Sequence, residues 1–333
     1  MPVTLKQIAK ASGLSMPTVS QILNGKGWYR EETREKVLET ARRLGYMPNT
    51  SARAVATGRF NCIALLASTF AYRSSMPGAM LDGIQNALAL RRQHLALAKL
   101  PDEDLTDEDV LPRMLREWMA DGMLVNYNAF VPRRLQELVS RHKLPSVWIN
   151  YANEEVSHVC PDDFAAGRLA TEHLLQHGHR RVAYVDFSHD IDDHRNHYSA
   201  AERREGFQQA ARAAGAEASL LCRNLGLAAR EKACQEFLRG EDRPEAIVTY
   251  GLDGAMVLYL SARASGMAVP NELSIVALDG RPCPIADFTS VELPWEQIGS
   301  AAVQGVLERV ENRDMPALAL RLPGVIHRGT TVS

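Results

Sequence analysis

The chain holds only five cysteines in 333 residues, at positions 62, 160, 222, 234 and 283. Their number is odd and no C-x-x-C pair occurs, which excludes a disulfide framework and the usual zinc spacing and fits a reducing compartment. Long apolar runs are missing as well. No stretch approaches the roughly 20 residues that a membrane-spanning helix needs, and no charged segment followed by an apolar one opens the chain. The expectation is a soluble, cytoplasmic protein with no membrane partner. The signatures of catalysis are also absent: there is no G-x-S-x-G elbow, phosphate loop or G-x-G-x-x-G turn, and no His/Cys pair in a recognisable setting. No catalytic residue, cofactor or metal is therefore expected, and low-complexity stretches and short repeats are lacking too.

What is present is an uneven distribution of charge. The net charge is −2, yet residues 1–60 carry ten Lys and Arg against four Glu, a surplus of six. The remaining residues carry a net −8. A small basic head on a larger acidic body suits a head that meets a polyanion; a merely solvated basic face is the plainer alternative.

The head reads as three short helices. Thr4-Leu5-Lys6-Gln7 has the form of a capping box, and the helix it opens runs out near Gly13. Ser15 caps a second helix through Leu23, with Val19, Ile22 and Leu23 at helical spacing. Two short helices joined by a tight turn containing glycine make a helix-turn-helix. A third helix spans 31–44, with acids in its first turn, Arg42 and Arg43 in its last, and Gly45 beyond. Tyr46-Met47-Pro48-Asn49 breaks it. Residues 50–57 form one further short helix at most, too short to stand alone in water.

These segments carry a resemblance. VTLKQIAKASGLSMPTVSQILNGKG, EETREKVLETARRLGYMPN and SARAVATGR, in that order, resemble the DNA-binding head of the lactose/galactose repressor family. The resemblance implies that the second helix enters the major groove and that Met16, Pro17 and Gln21 occupy its reading positions. Met16 and Pro17 offer only apolar contact, for instance to a thymine methyl, and glutamine suits adenine where the family usually has arginine. Thr18, Ser20 and Asn24 are candidates for phosphate contacts, and Thr4, Ser15 and Asn49 complete the DNA-facing set. Arg30 replaces the family's usual capping serine, exchanging a cap for a phosphate contact. Residues 48–59 resemble the family's hinge, which folds against DNA and wedges a leucine into the minor groove. Val55 matches that leucine and is one methylene shorter; Arg53 would face the groove or a phosphate.

From residue 60 onward apolar strands alternate with helices. Strands are expected at 61–67, 94–99, 122–126, 146–150, 182–187, 246–250 and 274–279, and helices at 79–90, 165–177 and 205–214. Such alternation builds parallel sheets covered by helices, and two rounds of it give two lobes. Ligands bind beyond the carboxyl ends of such strands, where Ser68, Asn150, Asp253 and Asp279 fall.

The body, through PDDFAAGRLATEHLLQHGHRRVAYV, ERREGF, VTYGLDGAMVLYL, SIVALDG and VIHRGTTV, resembles the periplasmic-sugar-binding-protein-like effector domain of the same family. The resemblance implies that Arg203 and Asp279 reach into the cleft and fix hydroxyl or carboxylate groups of a ligand; a direct Arg203–Asp279 pair is the alternative. The chain departs from the family at Ser75-Met76-Pro77-Gly78, at Leu252, and near Leu225, where an aromatic platform has no counterpart. These departures argue against a standard sugar effector. Asp162-Asp163 reads as a turn and helix cap. The run 189–197 has metal-ligand residue types without metal-ligand spacing.

The expected architecture is an all-α helix-turn-helix head (1–47), a hinge helix (48–59) and an α/β two-lobed body with parallel sheets (60–333). Lobe 1 is expected over about 60–160 and 291–320, lobe 2 over about 161–290 and 321–333. The expected partners are a near-palindromic double-stranded DNA operator, a small-molecule effector such as a sugar or related metabolite, and a second copy of the chain in a homodimer. No leucine-heptad tail suggests a larger assembly. A solute-binding protein of the same body fold is the alternative function.

Overall fold

The computed structural model describes residues 3–47, 58–70, 73–101, 103, 107, 120–127, 129, 131–193, 195–240 and 243–333. The expected hinge, with Asn49, Arg53 and Val55, lies outside the described residues, as does His194. The chain divides into two units, Met1–Phe60 and Asn61–Ser333.

The first unit contains α1 (Leu5–Ser12), α2 (Met16–Leu23) and α3 (Glu31–Leu44). The capping box forms: Thr4 Oγ1 accepts from Gln7 N, and Gln7 Oε1 accepts from Thr4 N at 2.8 Å. Gly13 turns left-handed (φ 72°) to close α1, a conformation that costs glycine nothing. Ser15 accepts from Thr18 N and opens α2, with proline in the first turn, where its missing N–H deprives no carbonyl of a partner. Arg30 makes no side-chain cap to α3, and left-handed Gly45 ends that helix. Ile8, Val19, Ile22 and Val37 close a core against which Leu14 and Tyr29 pack.

The second unit is built on two six-stranded sheets. The first holds β1 (Cys62–Ser68), β2 (His94–Leu100), β3 (Gly122–Asn126), β4 (Ser146–Ile149), β5 (His158–Pro161) and β11 (Ala319–Leu322), in the order β11-β5-β4-β3-β1-β2. The second holds β6 (Arg181–Asp186), β7 (Glu217–Cys222), β8 (Ala246–Thr249), β9 (Ser274–Leu278), β10 (Thr289–Glu292) and β12 (Val325–His327), in the order β12-β10-β9-β8-β6-β7. The two orders correspond strand for strand. Ala64 and Leu66 of β1 face one core cluster, Ile63 and Leu65 the other; Val182 and Tyr184 of β6 are divided from Ala183 and Val185 in the same way. Both faces of each strand are therefore covered, and that is why these strands read as unbroken apolar runs.

The sheets are parallel throughout except at one edge. β12 runs antiparallel to β10, with Ser290 opposite His327. It is reached from β11, a strand of the other sheet, through Pro323 and Gly324 alone.

The helices α4 (Gly78–Leu90), α5 (Arg133–Arg141), α6 (Asp163–Gln176), α7 (Tyr198–Ala213), α8 (Leu227–Arg239), α9 (Leu252–Ala264) and α10 (Trp295–Glu311) cover the sheets. Two helix pairs touch backbone to backbone. In α4 and α10, Gly83 lies against the Glu296 carbonyl and Gly299 against that of Met80. In α6 and α7, Gly167 lies against the Arg203 carbonyl and Gly206 against that of Phe164. A Cβ at any of the four positions would overlap the opposing backbone. α7 begins at Tyr198, seven residues before the expected start, because the His197 side chain accepts from Ser199 N and supplies a cap that sequence signals do not include.

Candidate functional site

Two surfaces carry functional chemistry, one in each unit. In the head, α2 presents Met16, Pro17 and Gln21 as exposed side chains, with Met16 52% accessible although apolar. Ser15 and Thr18 bind each other (Oγ to Oγ1, 2.8 Å). Asn24 Nδ2 donates to Ser20 O at 2.8 Å, fixing the end of the helix. Thr4, Ser15, Ser20, Asn24 and Arg30 lie within the same three-helix unit.

In the body, a cleft of about 1000 Å³ lies between the two sheets. Asn150 and Asp279 enter it from equivalent places, one following β4 and the other β9, and each is left-handed with φ 54°. Asn and Asp are the non-glycine residues that tolerate this region best. The repeat thus turns the chain in the same way at both walls and places a short polar side chain on each.

Arg203 is buried beside the cleft. Its Nε donates to Asp163 Oδ1 at 2.6 Å and its Nη1 to the Tyr250 carbonyl at 2.6 Å, and the guanidinium lies over the Tyr250 ring at 4.6 Å. Burial, the largest influence, opposes its charge, but Asp163 together with Tyr250, Asp279 and Tyr184 outweighs it and the pKa is raised. The anticipated alternative, a direct Arg203–Asp279 pair, is not what forms. Asp279 instead accepts from Trp295 Nε1 at 2.6 Å. The role read for Asp163 is also corrected. Asp162 alone caps α6, through Ala165 N at 2.9 Å, while Asp163 is fully buried and serves as counter-ion to Arg203.

Of the other expected cleft residues, Asp253 lines the cleft and pairs with Arg281 at 3.0 Å. Ser68 does not line it; it ends β1 fully buried, its N–H donating to Ser74 Oγ at 2.8 Å, and the nearby Ser75 lines the cleft instead. Aromatic surface comes from Phe187, Tyr250 and Trp295 rather than from the neighbourhood of Leu225.

A hydrogen-bonded chain, not visible in the sequence, runs across the cleft wall. His197 Nε2 lies 2.9 Å from the Asn150 carbonyl, which can only accept, so Nε2 carries the proton. Nδ1 then accepts from Ser199 Oγ at 2.7 Å, and Ser199 Oγ in turn receives the Tyr250 hydroxyl at 2.8 Å. Burial pushes the His197 pKa down to about 4, against the Asn150 bond, which raises it. The imidazole is neutral at physiological pH.

Within the 189–197 run several candidate metal ligands are engaged with protein partners. His189 binds Asp186 at 2.9 Å, Asp190 accepts from Asn224 N at 3.0 Å, and Asp193 holds Arg195 at 2.8 Å. Among the described residues no cluster of three or more His, Cys, Asp or Glu has the geometry of a metal site, and no helix is long and apolar enough to cross a membrane. Arg230, which the sequence did not single out, reaches the cleft from α8. It is held by the Leu225 and Phe187 carbonyls at 2.8 and 3.1 Å and has no carboxylate among its described partners.

Residues 4–49 match the family described as bacterial regulatory proteins, lacI family, and residues 171–331 match the periplasmic binding protein-like domain. The chain is 27% identical to the HTH-type transcriptional regulator GalS of Salmonella typhimurium, over 87% of this chain and 84% of that protein. It is 25% identical to the HTH-type transcriptional repressor PurR of Vibrio atlanticus, over 98% of each. Its fold is similar to that of the Lac repressor dimer bound to operator and the anti-inducer ONPF, with a TM-score of 0.79 at 19% identity over 99% of each chain. It is also similar to the transcriptional regulator CelR in its cellobiose complex, with a TM-score of 0.64 at 24% identity over 99% of each chain.

Proposed function

The chain belongs to the lacI family of bacterial regulatory proteins, and from that premise we propose that it is a transcription regulator, acting as a repressor in the cytoplasm by binding rather than catalysis. Its head reads a near-palindromic operator as part of a homodimer, and a small-molecule effector in the body cleft changes the affinity for DNA. The observation that carries this reading is the exposed outer face of α2, which holds Met16, Pro17 and Gln21 on a small helix capped at both ends. An effector acts only through different affinities for the two conformational states. The cleft favours a small polar ligand, with Arg230 available to an acceptor group and Arg203 and Asp279 on its walls. Residues 48–59 serve as the hinge, with Asn49 and Arg53 at the DNA and Val55 as a shallow wedge.

The test is selection of bound duplexes from a random pool by the full-length protein at near-physiological salt. A two-fold-symmetric site supports the reading. Salt-sensitive binding without any enriched sequence, in the presence and absence of pooled metabolites, overturns it.

A further inference from the structure

The loop that leaves α2 folds back over it. Gly25 is left-handed (φ 66°), its N–H donating to Ile22 O at 3.1 Å, and Lys26 N donates to Gln21 O at 2.8 Å. This is the Schellman ending of a helix. Gly27 is left-handed again (φ 77°), and a Cβ there would lie 2.8 Å from Tyr29 Cε2 and 3.2 Å from Gln21 Oε1. The bare backbone at Gly27 is what lets the Tyr29 ring cross the loop. The ring is half-buried against the head core, and its hydroxyl donates to Gln21 Oε1.

A glutamine side chain has one acceptor end and one donor end. Used together they complement adenine, which offers N6–H₂ and N7 in the major groove. Here Tyr29 takes one lone pair of the acceptor end and holds it against the head, while Nε2, which only donates, has no hydrogen-bond partner among the described residues. Guanine, with N7 and O6 side by side, is the base edge that presents two acceptors and no donor. We propose that Tyr29 is a specificity-determining residue of the head: by engaging Gln21 Oε1 it makes Gln21 a donor-only reader that selects guanine over adenine. The proposal rests on the DNA-binding reading and replaces the adenine preference that glutamine alone suggests.

The experiment is the same selection, run with the native full-length chain and with Gln21→Ala, Tyr29→Phe and Gln21→Glu. The operator position whose preference disappears in Gln21→Ala is the one Gln21 reads. The native chain is expected to favour guanine over adenine there by on the order of tenfold. Tyr29→Phe keeps the packed ring and loses only the hydroxyl, so it is expected to free Oε1 and move the preference from guanine to adenine with an unchanged melting temperature. Gln21→Glu keeps the bond to Tyr29 but exchanges the donor for an acceptor, and is expected to favour cytosine. Adenine or thymine at that position for the native chain, or an unchanged preference in Tyr29→Phe, overturns the proposal. If the native chain enriches no site at all, the DNA-binding reading itself falls, a result separable from either of these.

Discussion

His197 ties the two walls of the cleft together, its Nε2 proton shared with the carbonyl of Asn150 at 2.9 Å. The bond requires a neutral ring whose other nitrogen accepts from Ser199. Between the ordinary histidine value of 6.5 and about 4, the unfolded chain binds a proton at this position that the folded chain refuses. Stability therefore falls as pH falls through that window. The loss is expected to be on the order of 3 kcal/mol, read as the difference in urea stability between the native chain and His197→Gln, which keeps a donor at the same place. Equal pH dependence of the two proteins contradicts this assignment.

Arg203 and Asp163 form a buried pair whose members are 4% and 0% exposed. Removing one partner strands the other's charge away from water, so Asp163→Asn or Arg203→Met is expected to cost about 3–5 kcal/mol. Changing both to apolar residues should cost less than either single change, and chemical denaturation of the three variants decides this.

The glycine contacts between helices predict opposite effects for the same substitution. Gly206→Ala would drive a methyl into the Phe164 carbonyl across the α6–α7 contact, and is expected to lower stability by about 1–3 kcal/mol or more. Gly254→Ala lies inside α9 with its nearest neighbours at 3.6 and 3.8 Å, and is expected to raise stability by about 0.5–1 kcal/mol. Melting temperatures of the two variants should move in opposite directions.

In the head, Arg30 already has the extended backbone of an N-cap (φ −60°, ψ 140°) but makes no capping bond. Arg30→Ser is expected to stabilise α3 by about 1 kcal/mol, and Ser15→Ala to destabilise α2 by a similar amount. Calorimetry of the full chain reads both. If Arg30 also touches a phosphate, Arg30→Ser should in addition flatten the salt dependence of operator binding by about two units of slope, one from each protomer of the dimer.

The readable parts of the sequence are those whose cause is local. The capping box at Thr4, the cap at Ser15 and the left-handed stops at Gly13 and Gly45 all depend on neighbours within four residues. The strand ends at Asn150 and Asp279 follow from alternation. The partners within the cleft do not. Asp163 meets Arg203 across 40 residues and His197 meets Asn150 across 47, and Asp163 sits beside Asp162, whose capping role masks it. The start of α7 is hidden for a related reason, since a histidine ring acting as cap leaves no usual cap signal. Tyr29 carries no signal of its own in the sequence, because its hydroxyl acquires a role only when the loop through Gly27 closes.

The interleaved strand order sets a timetable for synthesis on the ribosome. His158 N donates to Leu318 O at 2.6 Å, where β5 meets β11, and α10 covers the core beneath β1, β3 and β4. The first sheet to emerge is therefore the one that must wait longest for completion. At roughly 5–20 residues per second, its β5 edge and one apolar face stay open while five of the six strands of the second sheet are made. A nascent chain stalled before its last few dozen residues exposes that face, a natural place for a chaperone to hold it.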